Sequence, residues 1–333
     1  MKFGVLQFFS WPDRRSTLAT VYERALERIE IMDRSGYDAV WITEHHFNDY
    51  SVCPSIPVMG AYAAARTKRL HIATGVTLAA FYHPLRLAEE IALLDILSGG
   101  RVYWGAGRGF DPKEFRTFGM TPEESYPRFQ EAVDIVMRAW RNQRITYKGK
   151  YYSFDNIEVL PKPLQQPHPP MWVAAYSPPA IEWAASQGYS IMLDPHSPTS
   201  VIGEKMQAWR KLLVEHGHSS EGRVLPTVRL VAIAATDAKA AEIAREGSKW
   251  LLRTYVNPTG ERGDSDAMAN RYVDSMVIHG TAERVADQIA RLNEEIGLDY
   301  MITAPLSHET FLTFTDKVLP KLATSEPAIT VAQ

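Results

Sequence analysis

The sequence has a single cysteine, Cys53, among its 333 residues. One thiol cannot form an intramolecular disulfide bond or a cysteine-based metal site, so the chain suits a reducing compartment. No apolar stretch approaches the roughly 18 residues that span a bilayer. The opening run MKFGVLQFFSW is too short for a secretory signal. We therefore expect a cytoplasmic protein with no membrane segment.

The chain also lacks an excess of basic residues. It has 36 Lys and Arg against 39 Asp and Glu, and its formal net charge is -3. A nucleic-acid-binding protein usually carries a basic excess on one face, so this class is disfavoured. A hydrophobic content of 45% and a charged content of 23% exclude a disordered chain and leave a globular enzyme as the expected class.

Short apolar runs alternate with amphipathic segments of helical length along the whole chain. The predicted strands are residues 2–9, 38–44, 71–78, 101–107, 171–176, 190–195, 227–235 and 300–305. The predicted helices are residues 17–35, 57–67, 84–97, 122–142, 178–187, 199–216, 238–255 and 282–296. Runs such as DAVWITE and MWVAAYS are apolar nearly throughout, which is typical of parallel strands buried on both faces. The pattern predicts an α/β fold, a single (β/α)8 TIM barrel with insertions, with a doubly wound open sheet as the alternative.

Two stretches interrupt the alternation within a barrel domain that we expect over residues 1–322. Residues 145–160 (ITYKGKYYSFDNIEVL) predict a small inserted hairpin. Residues 257–274 form a long polar connection that contains glycine, and such connections in compact domains are usually lids. Residues 323–333 are expected to be a C-terminal tail.

The predicted second strand ends in Glu44, His45 and His46. Adjacent residues on an extended chain point to opposite faces, so the two imidazoles are poorly placed to bind one ion, and no HExxH spacing is present. We therefore expect no metal site. Each histidine is either a packed, hydrogen-bonded barrel residue or a neutral imidazole that donates a hydrogen bond or moves a proton near neutral pH.

Residues 105–109 read GAGRG, but Phe110 stands where a dinucleotide-binding GxGxxG motif needs glycine. The glycines indicate a backbone that approaches a ligand closely, and Arg108 is suited to binding a phosphate group. A surface ion pair is the alternative role for this arginine. Ser177 stands at the next strand end as a predicted helix cap, and the free N–H groups and dipole of such a helix attract phosphate. Together the two residues predict an anion pocket.

Four segments carry a family resemblance in the right order and spacing. They are GYDAVWITEHHF, HPLRLAEEIALLDILSGGRVYWGAGRG, FRTFG and HGTAERVADQI, at residues 36–47, 83–109, 115–119 and 279–289. With them the chain resembles the bacterial luciferase-like family of flavin-dependent monooxygenases, including the luciferase α chain, from residue 1 to about residue 322.

The resemblance implies a function as well as a (β/α)8 barrel. It implies a two-component monooxygenase that takes reduced FMN (FMNH2) from a separate NAD(P)H:flavin reductase, uses O2 as co-substrate and oxygenates a small organic substrate through a C4a-peroxyflavin. A deazaflavin-dependent oxidoreductase of the same fold and a non-catalytic flavin-binding protein are the alternatives. The intact Glu-His-His cluster and the full eight-strand length weigh against the last of these.

Carried over by position, the resemblance assigns the catalytic histidine to His45. It places phosphate-binding side chains at Arg108, Arg128 and Ser177, with Tyr176 standing in for the acidic residue that precedes the serine in luciferases. We count Tyr176 among the cofactor-binding residues.

The flavin ring has its own implied neighbours. Gly75 and Val76 occupy the place of a non-proline cis peptide beneath the ring, and Glu44 matches an acidic residue beside it. Ala106 replaces the reactive cysteine of luciferase α chains, so light emission is not implied.

The resemblance also implies a dimer, and we expect a homodimer through the helices that follow the second and third strands. The expected contact residues are Val58, Met59, Ala61, Tyr62, Ala64, Leu87, Ile91 and Leu94. The alternative is that these residues face the barrel.

Overall fold

The computed structural model describes residues 1–256 and 265–324. The strands of this part are β1 (Lys2–Gln7), β2 (Ala39–Ile42), β3 (His71–Thr74), β4 (Thr77–Leu78), β5 (Val102–Gly107), β6 (Ile145–Lys148), β7 (Ser153–Ile157), β8 (Met171–Ala174), β9 (Ser190–Met192), β10 (Pro226–Ile233), β11 (Val277–Gly280) and β12 (Tyr300–Pro305). Its α-helices are α1 (Leu18–Ser35), α2 (Ile56–Arg66), α3 (Pro84–Ser98), α4 (Pro112–Thr117), α5 (Pro122–Arg141), α6 (Pro178–Ser186), α7 (Thr199–Glu215), α8 (Asp237–Leu251), α9 (Ser265–Met276), α10 (Ala282–Ile296), α11 (His308–Thr313) and α12 (Leu319–Leu322).

Eight parallel strands curl into a barrel with helices outside it. Their neighbour order is β10-β12-β1-β2-β3-β5-β8-β9. The two ends of this order meet at Leu193, whose N–H donates to the Pro226 carbonyl at 2.9 Å and whose carbonyl accepts from the Val228 N–H at 3.1 Å. The predicted (β/α)8 architecture is confirmed.

Several strands end earlier than their apolar runs predicted. The strand expected over residues 38–44 ends at Ile42, so Glu44, His45 and His46 lie in the loop that follows β2. The strand expected over residues 71–78 is divided into β3 and β4, with Gly75 and Val76 between them. Only the hydrogen-bonded part of each run forms a strand, and residue type alone did not show where the hydrogen bonding stops.

Five strands and α-helices of the described residues were not predicted: β11, α4, α9, α11 and α12. β11 pairs with the second half of β10, from Leu230 to Ile233, and four residues are too few to give a periodic signal. α4 is a six-residue helix after β5. α9 contains residues 265–274 of the segment interpreted as a lid, and residues 257–264 of that segment lie outside the described residues, as do residues 325–333 of the expected tail.

An antiparallel hairpin, β6–β7, occupies the position of the expected insertion.

Aromatic side chains fill the barrel interior. The Trp41 and Trp172 rings meet edge to face with centroids 5.5 Å apart, and the indole N–H of Trp41 donates to the Tyr300 hydroxyl at 3.1 Å. Together with Tyr103 these residues are at most 2% exposed. The barrel is therefore packed rather than hollow, and the loops at the C-terminal ends of its strands are left for chemistry. Across residues 1–256 and 265–324, every helix is too short or too polar to cross a bilayer.

The structure divides the expected dimer face in two. Ala64, Leu87, Ile91 and Leu94 are at most 5% exposed and pack against the barrel, so their assignment to a subunit contact was wrong. The most apolar positions of an amphipathic helix on a barrel face inward, whereas the predicted dimer contact required these four residues to face outward. Val58 and Tyr62 are exposed, as expected.

Candidate active site

The loop after β2 holds a buried carboxylate. Glu44 is 1% exposed, and its carboxylate accepts the Leu78 N–H at 3.2 Å and lies 3.1 Å from Nε2 of His46. Burial raises the pKa of Glu44, and the hydrogen bond and charge of His46 oppose that rise. His46 is therefore a packed residue that binds Glu44. Of the two roles that the sequence left open for it, this is the packed, hydrogen-bonded one.

His45 points elsewhere. Its ring lies parallel to that of Phe8 with centroids 6.3 Å apart, and its Nδ1 is 2.9 Å from the Tyr50 hydroxyl. The Glu114 carboxylate lies 3.7 Å from the same nitrogen and accepts the His46 N–H at 2.8 Å. Nδ1 of His45 therefore faces a polar pair made of the Tyr50 hydroxyl and the Glu114 carboxylate.

Tyr50 and Glu114 were missed by the sequence reasoning. Tyr50 lies in an irregular loop, and Glu114 lies in the short helix α4, 69 positions after His45. Neither has a periodic or motif signal. The contact between them and His45 depends on the fold that brings the loops after β2 and β5 together.

The peptide bond between Gly75 and Val76 is cis. β5 lies tightly against it: a Cβ added to Gly107 would be 2.3 Å from Cγ2 of Val76, and one added to Gly105 would be 2.2 Å from the carbonyl oxygen of Thr74. These two glycines therefore admit the neighbouring chain. In the direction of a side chain, the close approach that the sequence indicated is made at these two positions by protein.

Arg108 and Arg128 converge on one face of α5. Nη1 of Arg108 donates to the Ser125 hydroxyl at 3.2 Å, and Arg128 lies one turn further along the helix. The Arg128 guanidinium carbon is 4.4 Å from the centroid of the Tyr151 ring, and Nη2 is 3.9 Å from the Glu124 carboxylate. Its Nε is buried, and no acceptor within residues 1–256 and 265–324 binds it. Two positive charges and an unused buried donor are groups of the kind that bind anions.

Ser177 precedes α6, and its hydroxyl makes no hydrogen bond to that helix. The expected hydroxyl cap is therefore absent, which leaves this hydroxyl for another partner. The expected free N–H groups are absent as well: the first two helical residues are prolines, and the next two N–H groups donate to the Ser177 carbonyl. The Tyr126 hydroxyl donates to the Pro179 carbonyl at 3.4 Å, so the first turns of α5 and α6 are in contact.

Tyr176 is 64% exposed, and the ammonium group of Lys205 lies 4.0 Å from the centroid of its ring. Lys205 also pairs with Asp194 at 2.9 Å. The tyrosine that replaces an acidic residue therefore contacts a cation from α7, a neighbour that the sequence did not indicate.

One loop joins the histidine cluster to the arginine pair. Phe110, two residues after Arg108, meets the His45 ring edge to face with centroids 6.4 Å apart. Both groups therefore lie at the C-terminal rim of the barrel, where parallel-barrel enzymes carry their active sites. Among the residues that the structure describes, no cluster of His, Cys, Asp or Glu could hold a metal ion.

Comparison with known proteins identifies the family and the fold. A sequence model of the luciferase-like monooxygenase family matches residues 1–300. The uncharacterized protein y4wF of Sinorhizobium fredii is 33% identical over 91% of this chain and 89% of its own length. The oxygenase component of flavin-dependent trigonelline monooxygenase from Acinetobacter baylyi is 32% identical over 59% of this chain and 54% of its own length.

Solved structures share the fold over nearly the whole chain. Monooxygenase RslO1 from Streptomyces bottropensis has a TM-score of 0.87 at 28% identity and covers 97% of this chain and 100% of its own. Two others match at the level of fold alone, each over 97% of this chain and 99% of its own. They are the oxygenating constituent of 3,6-diketocamphane monooxygenase from Pseudomonas putida, in complex with FMN, with a TM-score of 0.80 at 19% identity, and an F420-dependent secondary alcohol dehydrogenase, with 0.79 at 21%.

The burial of Glu44 leads to a prediction about pH. A carboxyl group whose pKa is raised in the folded state stabilises the fold below its unfolded pKa and loses that contribution as the pH rises. Glu44→Gln cannot ionise. Relative to wild type, its free energy of unfolding should therefore improve between pH 5 and pH 8, as measured by urea denaturation at both values. A difference between the two proteins that does not change with pH would contradict the assignment.

Proposed function

The chain belongs to the luciferase-like monooxygenase family, and on that premise we propose that it is the oxygenase component of a two-component flavin monooxygenase. It takes reduced FMN from a separate NAD(P)H:flavin reductase in the cytoplasm and transfers one oxygen atom from O2 to a small organic substrate. The observation that carries the proposal is the pair Arg108 and Arg128 beside the cis Gly75–Val76 bond, since Gly107 packs on Val76 and directly precedes Arg108.

The donor set fits FMN. Its phosphate needs charged or hydroxyl donors, and Arg108, Arg128 and the uncapped Ser177 hydroxyl offer them at the contact of α5 and α6. The flavin ring would lie against Gly75–Val76, with the buried Glu44 beside it.

Two observations favour FMN and a separate reductase over the deazaflavin alternative. The trigonelline enzyme, 32% identical, is named as flavin-dependent and as an oxygenase component. The F420-dependent dehydrogenase resembles this chain in fold at only 21% identity.

Reduced FMN, when bound, supplies two electrons to O2, so that one oxygen atom enters the substrate and the other leaves as water. The chain's own residues orient and protect this chemistry. The Tyr50 hydroxyl, 2.9 Å from Nδ1, orients the His45 ring, and His45 donates or accepts a proton at the reacting oxygen. Phe8 and Phe110 pack on two sides of the His45 ring and exclude water from it.

The proposal is tested by mixing the protein with reduced FMN anaerobically and then with oxygenated buffer. We expect O2 to be consumed well before the absorbance band of oxidised FMN returns, because the protein delays release of the reduced oxygen species. The control is free reduced FMN at the same concentration. If the band returns together with O2 loss at the rate of the control, the monooxygenase assignment is wrong.

His45→Ala should keep FMN affinity within a few-fold while turnover falls by about 10²–10⁴, the usual effect of losing an acid–base group. Steady-state kinetics and flavin fluorescence measure the two quantities. His46→Ala is the matched control: it should cost less turnover and more thermal stability, because His46 binds the buried Glu44. Full turnover in His45→Ala would remove the residue from the mechanism.

We also propose that two copies of the chain pair through α2 and α3. Five apolar side chains on these two contacting helices are 42–72% exposed: Val58, Tyr62, Leu93, Ile96 and Leu97. Exposed apolar side chains on two contacting helices favour association, and a homodimer interface buries on the order of 2,000 Å2.

Leu97→Glu should yield monomer at micromolar concentration in analytical ultracentrifugation, because it buries a charge at the proposed interface. Val214→Glu is a matched control, since Val214 is an equally exposed apolar residue, 60% against 62%, on α7. The control should remain a dimer. Wild-type protein that sediments as a monomer, or a dimer unaffected by Leu97→Glu, would contradict the proposed face.

A further inference from the structure

One buried carboxylate fastens the turn of the β6–β7 hairpin to α5. Glu131 is 8% exposed, and its two oxygens accept the backbone N–H groups of residues 150–152 at 2.8–3.1 Å. The fit is tight, since a Cβ on Gly149 would lie 2.1 Å from Oε1 of Glu131. Because each of these donors would otherwise lose its partner, the carboxylate fixes the path of the turn.

The same turn supports the second arginine of the anion site. Arg128 and Glu131 are three positions apart in α5, so they lie on one helix face, beneath the turn. Tyr151 meets the Arg128 guanidinium at 4.4 Å, and the charge and hydrogen bond of Arg128 lower the pKa of Tyr152 against the larger effect of burial. The Tyr152 hydroxyl donates to the Tyr82 carbonyl at 3.3 Å. The turn is thus held between α5 and the loop that precedes α3.

We propose that Glu131 is a positioning residue for the FMN phosphate, an inference that rests on the function proposed above. By fixing the turn, it keeps Tyr151 stacked on Arg128 and holds the guanidinium in one orientation before the ligand arrives. An arginine side chain otherwise has many rotamers, and ordering it on binding reduces affinity. Glu124 lies 3.9 Å from Arg128 and would compete for it once the stack is lost.

The test compares FMN with riboflavin, which lacks the phosphate group. Glu131→Gln places an amide N–H2 group against the backbone N–H groups of residues 150–152, so part of their hydrogen bonding is lost. Gly149→Ala displaces the hairpin turn, because its methyl group meets Oε1 of Glu131, and changes no charge. In both variants the ratio of the riboflavin Kd to the FMN Kd should fall by about three- to ten-fold, a part of what a charge-assisted contact contributes. Fluorescence titration measures both constants, and thermal denaturation confirms that each variant is folded. If one variant does not fold, the other still provides the test.

Glu158→Gln is the matched control, because Glu158 follows the same hairpin and pairs with Arg144 at the surface, at 3.5 Å. It should leave the ratio unchanged. Equal losses of FMN and riboflavin affinity in Glu131→Gln would show a merely structural role and overturn the inference.

Arg108→Ala and Arg128→Ala separate this inference from the function on which it rests. If they lower the ratio and the folded Glu131 and Gly149 variants do not, the phosphate site stands and the role of Glu131 is wrong. If neither arginine variant lowers the ratio, the phosphate site is wrong, and the role of Glu131 falls with it.

Discussion

The packing of aromatic side chains inside the barrel is the constraint on which the rest of this structure depends. Trp41, Trp172 and Tyr300 fill the space between the strands and satisfy their own polar atoms, since the Trp41 indole donates to the Tyr300 hydroxyl and the Trp172 indole to the Val224 carbonyl. No ligand can enter this layer. Parallel strands end on one rim, so the groups that meet a ligand have to come from the loops above it.

Those loops have little regular secondary structure, and buried carboxylates replace it. The carboxylate of Glu44 accepts the N–H of Leu78, that of Glu114 the N–H of His46, and that of Glu131 three N–H groups of the hairpin turn. A backbone N–H that is buried without a partner costs about 1–3 kcal/mol, so each carboxylate ties one loop to its neighbour. Side-chain hydrogen bonds therefore fasten these segments of the rim to one another.

The sequence predicted the elements well and their contacts poorly, and the reason is physical. α10 and β12 have the predicted bounds, and α5 differs from its predicted bounds by one residue. Their signals are local: each has a hydrophobic period, and α5 also has a capping box at Thr121 and a proline at its first position. The partners of His45 and Arg128 come instead from distant segments. Tyr151 is 23 positions from Arg128, and no periodic signal connects them. Gly105 and Gly107 of β5 show the same limit. The sequence indicated that their backbone is closely approached, but it did not indicate that Thr74 and Val76 are the residues that approach it.

The proton chemistry of the rim follows from what is buried. Burial raises the pKa of Cys53, the one cysteine of the chain, to about 12, so this thiol stays protonated at neutral pH. Ala106, where luciferase α chains carry their reactive cysteine, is fully buried within β5. Burial also favours the neutral form of Glu44, and His46 is engaged with it. Because the Cys53 thiol stays protonated and Glu44 is engaged with His46, we propose His45 as the side chain that moves a proton at this rim.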